Sequence, residues 1–107
     1  MNSKLIEYLN KTRNGKKDNI RAILFSEDTL TYYYLFDINM ENKDCVMMCE
    51  PINASRPYCE LYSVYLEEIQ YYIGPYQIVD GQSLGKPYKQ VLKRLQKIEE
   101  RLLSMSY

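Results

Sequence analysis

The three cysteines are the most reactive side chains in this sequence of 107 residues, but their spacing matches no common reactive site. Cys45, Cys49 and Cys59 offer thiolates for nucleophilic catalysis or zinc binding, yet the chain has no histidine to serve as a base or as a further ligand. On a single strand Cys45 and Cys49 would lie about 13 Å apart, too far for a disulfide. We therefore expect these two to be small apolar strand residues.

Two further patterns resemble metal or phosphate sites only in part. Asp28, followed by Glu41 and Lys43, has the order of acidic and basic residues in metal-dependent nucleases, which hold Mg²⁺ between carboxylates on adjacent strands. Here Glu41 and Lys43 fall in a predicted loop. Residues 81–86 contain two glycines and a lysine before a predicted helix, but they lack the spacing of a P-loop. We expect a protein that is not an enzyme and uses no cofactor or metal.

Charge is sorted along the chain. Residues 1–21 carry six Lys/Arg and two carboxylates, residues 22–80 carry two and ten, and residues 81–107 carry six and two. The three blocks have net charges of +4, −8 and +4, and nine of the twelve tyrosines lie in the acidic block. A neutral total thus hides an acidic, tyrosine-rich centre between basic ends, which biases the partners that each part of the surface attracts.

The first half of the chain predicts one helix followed by three strands. Ser3 suits a helix N-cap, and the apolar residues after it share one helical face. Thr, Tyr and Phe dominate the second strand, where Tyr32, Tyr33 and Tyr34 must point to both faces. At least one of these rings then faces away from the main core unless both faces of the sheet are covered. The predicted elements are a helix over 3–12 and strands over 20–25, 29–38 and 44–50.

The second half of the chain gives less consistent predictions of secondary structure. Apolar residues at helical spacing predict a helix over 57–73 that ends at Gly74 and Pro75, although the Tyr and Val content also fits a strand. A short extended piece follows over 76–79, and a clear helix over 86–105. We expect one small α+β domain over residues 1–107, with a three-stranded antiparallel meander, helices packed on one face, and the order α-β-β-β-α-α.

The last predicted helix carries an apolar stripe that fits two arrangements. Its members alternate at spacings of three and four, like the a and d positions of a coiled coil. The stripe packs on the sheet in one arrangement and forms the seam of a homodimer in the other. The seam residues are Tyr88, Val91, Leu95, Ile98 and Leu102.

Two charged surfaces are candidates for binding a partner. The acidic one combines carboxylates with aromatic rings that provide contact area at low entropy cost, and it suits a basic protein. Its residues are Tyr33, Glu60, Glu67, Glu68 and Tyr71. The basic one recurs every four residues along the last helix and suits the phosphates of RNA or DNA. Its residues are Lys89, Lys93, Lys97 and Arg101.

The leading hypothesis is a non-enzymatic protein-binding module that presents the acidic surface to a basic host protein handling nucleic acid. Small size and a composition poor in alanine and rich in Asn, Lys, Ile and Tyr favour an inhibitor from a phage or mobile element, of the anti-CRISPR or another anti-defence type. The alternative is a small RNA- or DNA-binding protein that uses the C-terminal helix. The N-terminus has no apolar signal region, so we expect a cytoplasmic protein that does not contact the membrane.

Overall fold

The computed structural model describes residues 3–12, 16–52 and 60–105. Cys59, considered above as a possible zinc ligand or nucleophile, therefore lies outside the described residues. Within these ranges three helices, five strands and one 3₁₀ turn succeed one another. In order they are α1 (Ser3–Lys11), β1 (Ala22–Ser26), β2 (Thr31–Asn39), β3 (Asp44–Pro51), β4 (Glu60–Tyr65), the 3₁₀ turn (Leu66–Glu68), α2 (Ile69–Ile73), β5 (Gln77–Val79) and α3 (Tyr88–Met105).

All five strands join one open antiparallel sheet in the order β4-β3-β2-β1-β5. The α+β class is confirmed, and the predicted meander is present as β1-β2-β3. The predicted number of three strands is wrong, because β4 adds to the free edge of β3 and β5 to the free edge of β1. The order α-β-β-β-α-α holds only roughly for the same reason.

Helices cover both faces of the sheet, so the prediction that they pack on one face is wrong. On one face, Leu5 of α1 and Ile69 of α2 are buried in a cluster with Leu35 of β2. On the other face, Val91 of α3 is buried in a cluster with Phe36. Successive residues of the central strand point to opposite faces, and both sets are large and apolar. We call these the α1–α2 face and the α3 face.

The helix predicted over 57–73 is wrong for residues 60–65, which form β4, and residues 53–59 lie outside the described part of the chain. Leu61 and Tyr65 are four residues apart, a spacing that places side chains on one face of a helix and equally on one face of a strand. β4 pairs with β3 over six consecutive residues without a register shift. Helical structure starts only at Leu66, and α2 ends before Gly74, as predicted.

The first half of α3 is fixed to the body of the protein. The Tyr88 amide donates a hydrogen bond to the Asp18 carbonyl at 2.8 Å, and the Tyr88 ring stacks on Phe36 with the ring centres 4.3 Å apart. Val91 and Leu95 are buried against the sheet. Of the two arrangements that the apolar stripe allowed, packing on the sheet is the one that Tyr88, Val91 and Leu95 adopt, so these three side chains are not free to form a dimer seam.

The second half of α3 leaves the sheet. Ile98 and Leu102 are exposed, and Met105 near the end of the helix is 75% exposed. The described structure measures 47 Å along its longest axis against 28 and 22 Å along the others. Among the described residues, no helix combines the length and apolar character needed to cross a bilayer.

Two hairpin loops share an unusual backbone conformation. Residues 27–30 join β1 to β2 and residues 40–43 join β2 to β3, and the fourth residue of each loop has a positive φ. These residues are Leu30 at 49° and Lys43 at 53°. A side chain in this left-handed region costs roughly 1 kcal/mol compared with glycine.

Replacing Lys43 with glycine should therefore raise the free energy of unfolding by up to about 1 kcal/mol. The ion pair with Glu67 that is lost is exposed and contributes little. Urea denaturation measures the effect, and Asn42→Gly in the same loop, where φ is not positive, is the matched control. The control should lower stability, whereas a drop in both variants would contradict the strain at Lys43.

Candidate functional site

Exposed tyrosines and carboxylates cluster on β4, the 3₁₀ turn and α2. Residues 60–85 contain four carboxylates and no Lys or Arg. Tyr71 is 86% exposed, Tyr72 62% and Tyr65 57%, unusually high values for such large rings. We call this the acidic tyrosine surface. It consists of Glu60, Tyr62, Tyr65, Glu67, Glu68, Tyr71 and Tyr72.

The geometry of α2 explains why two of these rings point outward. Ile69 and Ile73 are four residues apart on one face of the helix, and both are buried under the sheet. Tyr71 and Tyr72 lie between them and must face away from the core. Their rings meet edge to face, with centres 5.4 Å apart. The Ser26 hydroxyl donates a buried hydrogen bond of 3.1 Å to the Ile73 carbonyl and so ties the end of α2 to β1.

A groove runs between α2 and the outer strands on the α1–α2 face. It has a volume of about 560 Å³. Its lining is apolar along β3 and β4, with Met47, Cys49 and Val64, and two carboxylates, Glu60 and Glu68, also line it. The groove exists because α2 has only five residues and leaves this part of the sheet uncovered.

The predicted surface residue Tyr33 lies in this groove and not on an open surface. Its side chain is only 7% exposed, and its hydroxyl lies 3.2 Å from the Thr29 hydroxyl. Both faces of the sheet are covered, which is the condition under which none of the three consecutive tyrosines needed to face away from a core, and Tyr33 is accordingly buried. A guest in the groove would still touch Tyr33, since its ring contributes to the lining.

The carboxylates of the acidic tyrosine surface have weak local partners. Glu67 pairs with Lys43 at 3.4 Å, and both side chains are more than half exposed. The Tyr72 hydroxyl lies 3.5 Å from a Glu68 oxygen, at the long limit for a hydrogen bond. Exposed pairs of this kind contribute about 0–1 kcal/mol, so a partner displaces them at little cost.

The basic stripe lies on the other side of the molecule. Lys89, Lys93, Lys97 and Arg101 are all exposed on α3, which packs on the face opposite α2. The sheet therefore separates the stripe from the groove. The sequence correctly predicted Glu67, Glu68 and the four cations of the stripe as exposed, but it placed Glu60 on a helix, whereas Glu60 lies on β4 and is half-buried. It also missed Tyr62, Tyr65, Tyr72 and the groove itself.

A polar cluster on the α3 face joins Tyr34, Glu50 and Arg94. The Tyr34 hydroxyl donates a hydrogen bond of 2.5 Å to Glu50. Burial, followed by the contact with Glu50, raises the pKa of Tyr34, and nearby Arg94 opposes that shift. A phenol that holds its proton in this way is a poor general base, and the cluster links Arg94 of α3 to Tyr34 of β2.

The fold disfavours the reactive thiol at Cys45 and the nuclease-like metal site that the sequence suggested. Burial raises the pKa of the Cys45 thiol to about 12, with Asp44 and Asp37 adding to the shift, so the reactive thiolate is suppressed. Asp28 lies in the loop before β2 and Glu41 in the loop after it, roughly 27 Å apart along a strand of nine residues. Among the described residues, no group of three or more His, Cys, Asp or Glu could hold a metal ion.

The raised pKa of Cys45 predicts a loss of stability at alkaline pH. An unfolded thiol ionises near pH 8.5, whereas the folded one keeps its proton to about pH 12, so stability is full below pH 8.5 and falls as the pH rises. Between about pH 8 and 10.5 the loss due to Cys45 is on the order of 2 kcal/mol.

Urea denaturation at the two pH values measures this loss. Cys45→Ala should reduce the pH dependence, leaving the part that comes from Tyr34 and other groups, even though it lowers stability at both values. Val46→Ala on the same strand is the control and should keep the full dependence. Equal slopes in the two variants would show that the Cys45 thiol does not titrate as its burial requires.

Comparisons with protein-family models, with curated proteins and with solved structures gave no match to this chain. Its function must therefore be argued from its own surface, where the acidic tyrosine surface and its groove are the most developed feature.

Proposed function

We propose that this protein is a protein-binding module that uses the acidic tyrosine surface to bind a basic partner. The observation that carries the proposal is the concentration of exposed rings and carboxylates over residues 60–72, a segment without Lys or Arg. Tyrosine is enriched among the residues that dominate binding energy at interfaces. Carboxylates beside it steer a basic partner to the same place and disfavour an acidic one.

The surface is held in place before a partner arrives. β4 is paired with β3 over its whole length, and the buried Ser26–Ile73 hydrogen bond fixes the end of α2. Tyr71 and Tyr72 therefore lose little backbone freedom on binding. Preorganisation of this kind leaves more of the contact energy available as affinity.

The concrete form of the proposal is an inhibitor of a nucleic-acid-handling protein. Such a protein presents Lys and Arg where phosphates bind, and a surface with Glu60, Glu67 and Glu68 competes for those groups. An origin in a phage or mobile element, with an anti-CRISPR or other anti-defence role, fits this chemistry. The chain would then act by occupying the site and needs no catalytic group of its own.

The test is capture of a partner from nuclease-treated host lysate by the wild type and by a variant with Tyr71→Ala, Glu67→Lys and Glu68→Lys. We expect a basic protein in stoichiometric amount with the wild type, and at least about a tenfold loss of affinity in the variant. The changed side chains are exposed, so the fold should persist.

A variant with Glu99→Lys and Glu100→Lys is the matched control, because it makes the same change in net charge on α3. It should capture the partner as the wild type does. Equal capture by the wild type and the triple variant would contradict the proposed function.

A second candidate function rests on the exposure of the basic stripe. Four cations along the outer side of α3 could follow a phosphate backbone, and this reading makes the chain a small RNA- or DNA-binding protein. Lys89→Glu, Lys93→Glu and Lys97→Glu together should then abolish binding to a nucleic acid duplex. Wild-type binding should weaken steeply as salt rises, and a flat salt dependence would remove this candidate.

A further inference from the structure

The outer edge of β4 is open to another strand. β4 ends the sheet, and within the described ranges β3 is its only strand neighbour. Its pairing with β3 is regular over all six residues, so its other edge presents backbone N–H and C=O groups at regular intervals. The edge at the opposite end of the sheet is β5, which has only three residues.

β4 also lacks the features that normally protect an exposed edge. Such edges are commonly blocked by Lys, by Pro or by a bulge, and residues 60–65 have none of these. They instead expose Leu61, Tyr62 and Tyr65. A long, regular and apolar edge is the usual template for strand addition by another chain.

The two faces of β4 would select different side chains in an added strand. Glu60, Tyr62 and Val64 share the α1–α2 face, because they pair with Cys49, Met47 and Cys45. The groove opens on this face, with Glu60 and Glu68 in its lining. A Lys or Arg could lay its apolar stem along Tyr62 and bring its charged end to the carboxylates.

The α3 face of β4 differs from the other face because it carries no charged side chain of β4. Leu61, Ser63 and Tyr65 point to it, and no carboxylate of β4 does. An added strand would place every second side chain beside this apolar row. The side chains on the two faces thus call for a segment that alternates between basic and apolar residues.

We propose that β4 binds an extended segment of the partner protein, alternately basic and apolar, as a sixth strand of the sheet, with the basic side chains entering the groove beside Glu60 and Glu68. This proposal rests on the function proposed above and names the manner of binding. Main-chain hydrogen bonds to β4 supply affinity, and the groove supplies specificity.

Charge disfavours a second copy of this chain as the occupant. A second β4 would bring no Lys or Arg to the groove, because residues 60–85 contain none, and it would add its own Glu60 and Glu68 to an edge that is already acidic. A basic segment of a different protein supplies the opposite charge that Glu60 and Glu68 call for.

The experiment selects ligands for the full chain from a library of random peptides about ten residues long, enough to pair with all of β4. The selected peptides should alternate between basic and apolar residues. The tightest is then made in two forms, with N-methyl groups on either its odd or its even residues. In a strand only every second N–H points to the neighbour, so one form should bind at least about tenfold more weakly and the other should bind nearly as the parent does.

Variants of the protein test the groove. Glu60→Gln with Glu68→Gln should weaken binding of the unmodified peptide about tenfold, whereas the control Glu99→Gln with Glu100→Gln should leave it unchanged. Equal effects of the two N-methylated forms, selected peptides without basic residues, or an empty selection would overturn strand addition. Sedimentation that shows β4-dependent self-association, abolished by Tyr62→Lys, would identify a second copy as the occupant and would also overturn it.

Failure of this inference is distinguishable from failure of the proposed function. If the Tyr71→Ala, Glu67→Lys, Glu68→Lys variant loses the partner while both N-methylated peptides bind alike, the surface binds protein without strand addition. If that variant keeps the partner, the proposed function itself is wrong.

Discussion

The structure depends on one constraint, which is that β2 is apolar on both faces. Tyr33 and Leu35 point to the α1–α2 face, and Tyr34 and Phe36 point to the α3 face. Because a strand alternates its side chains, neither set can be buried by covering the other face. β2 is also the central strand of the five, so both layers must reach the middle of the sheet. The division of the three helices between two faces follows from this strand alone.

The lengths of the three helices then determine which part of the sheet stays uncovered. α3 has 18 residues but buries mainly its first half, through Val91 and Leu95. On the opposite face α1 and α2 have nine and five residues. Their apolar side chains pack on β1, β2 and β3, and on β4 Val64 is partly buried against the same cluster while Tyr62 stays exposed. The groove and the exposure of Tyr62 therefore follow from a short α2, whereas Leu61 and Tyr65 are exposed on the α3 face.

Local signals predicted most of the elements, and contacts distant in sequence decided the rest. α1, β1, β2, β3 and α3 follow from caps, periodicity and residue type, and Gly74 marks the end of α2 as expected. The segment 60–65 was mistaken for helix because its apolar residues recur at a spacing of four, which both structures accept. Its strand conformation comes from the free edge of β3, which no local pattern reveals. The carboxylates and Tyr71 of the candidate site could be predicted as exposed, whereas the groove needs the placement of α2 against β3 and β4.

The fold separates acidic and basic groups in space, which the net charge of zero does not show. Two ion pairs between described residues, Lys17 with Asp37 and Lys43 with Glu67, are both exposed and contribute little. The groove carboxylates Glu60 and Glu68 lie on the α1–α2 face, whereas the basic stripe lies on α3, which packs on the opposite face of the sheet. At physiological salt, interactions between exposed charges are largely screened beyond about 8 Å. The acidic and the basic groups therefore act separately and do not cancel. A basic partner that approaches the groove meets Glu60 and Glu68 in its lining, and Lys43 beside it is paired with Glu67, so the neutrality of the whole chain does not remove the local attraction.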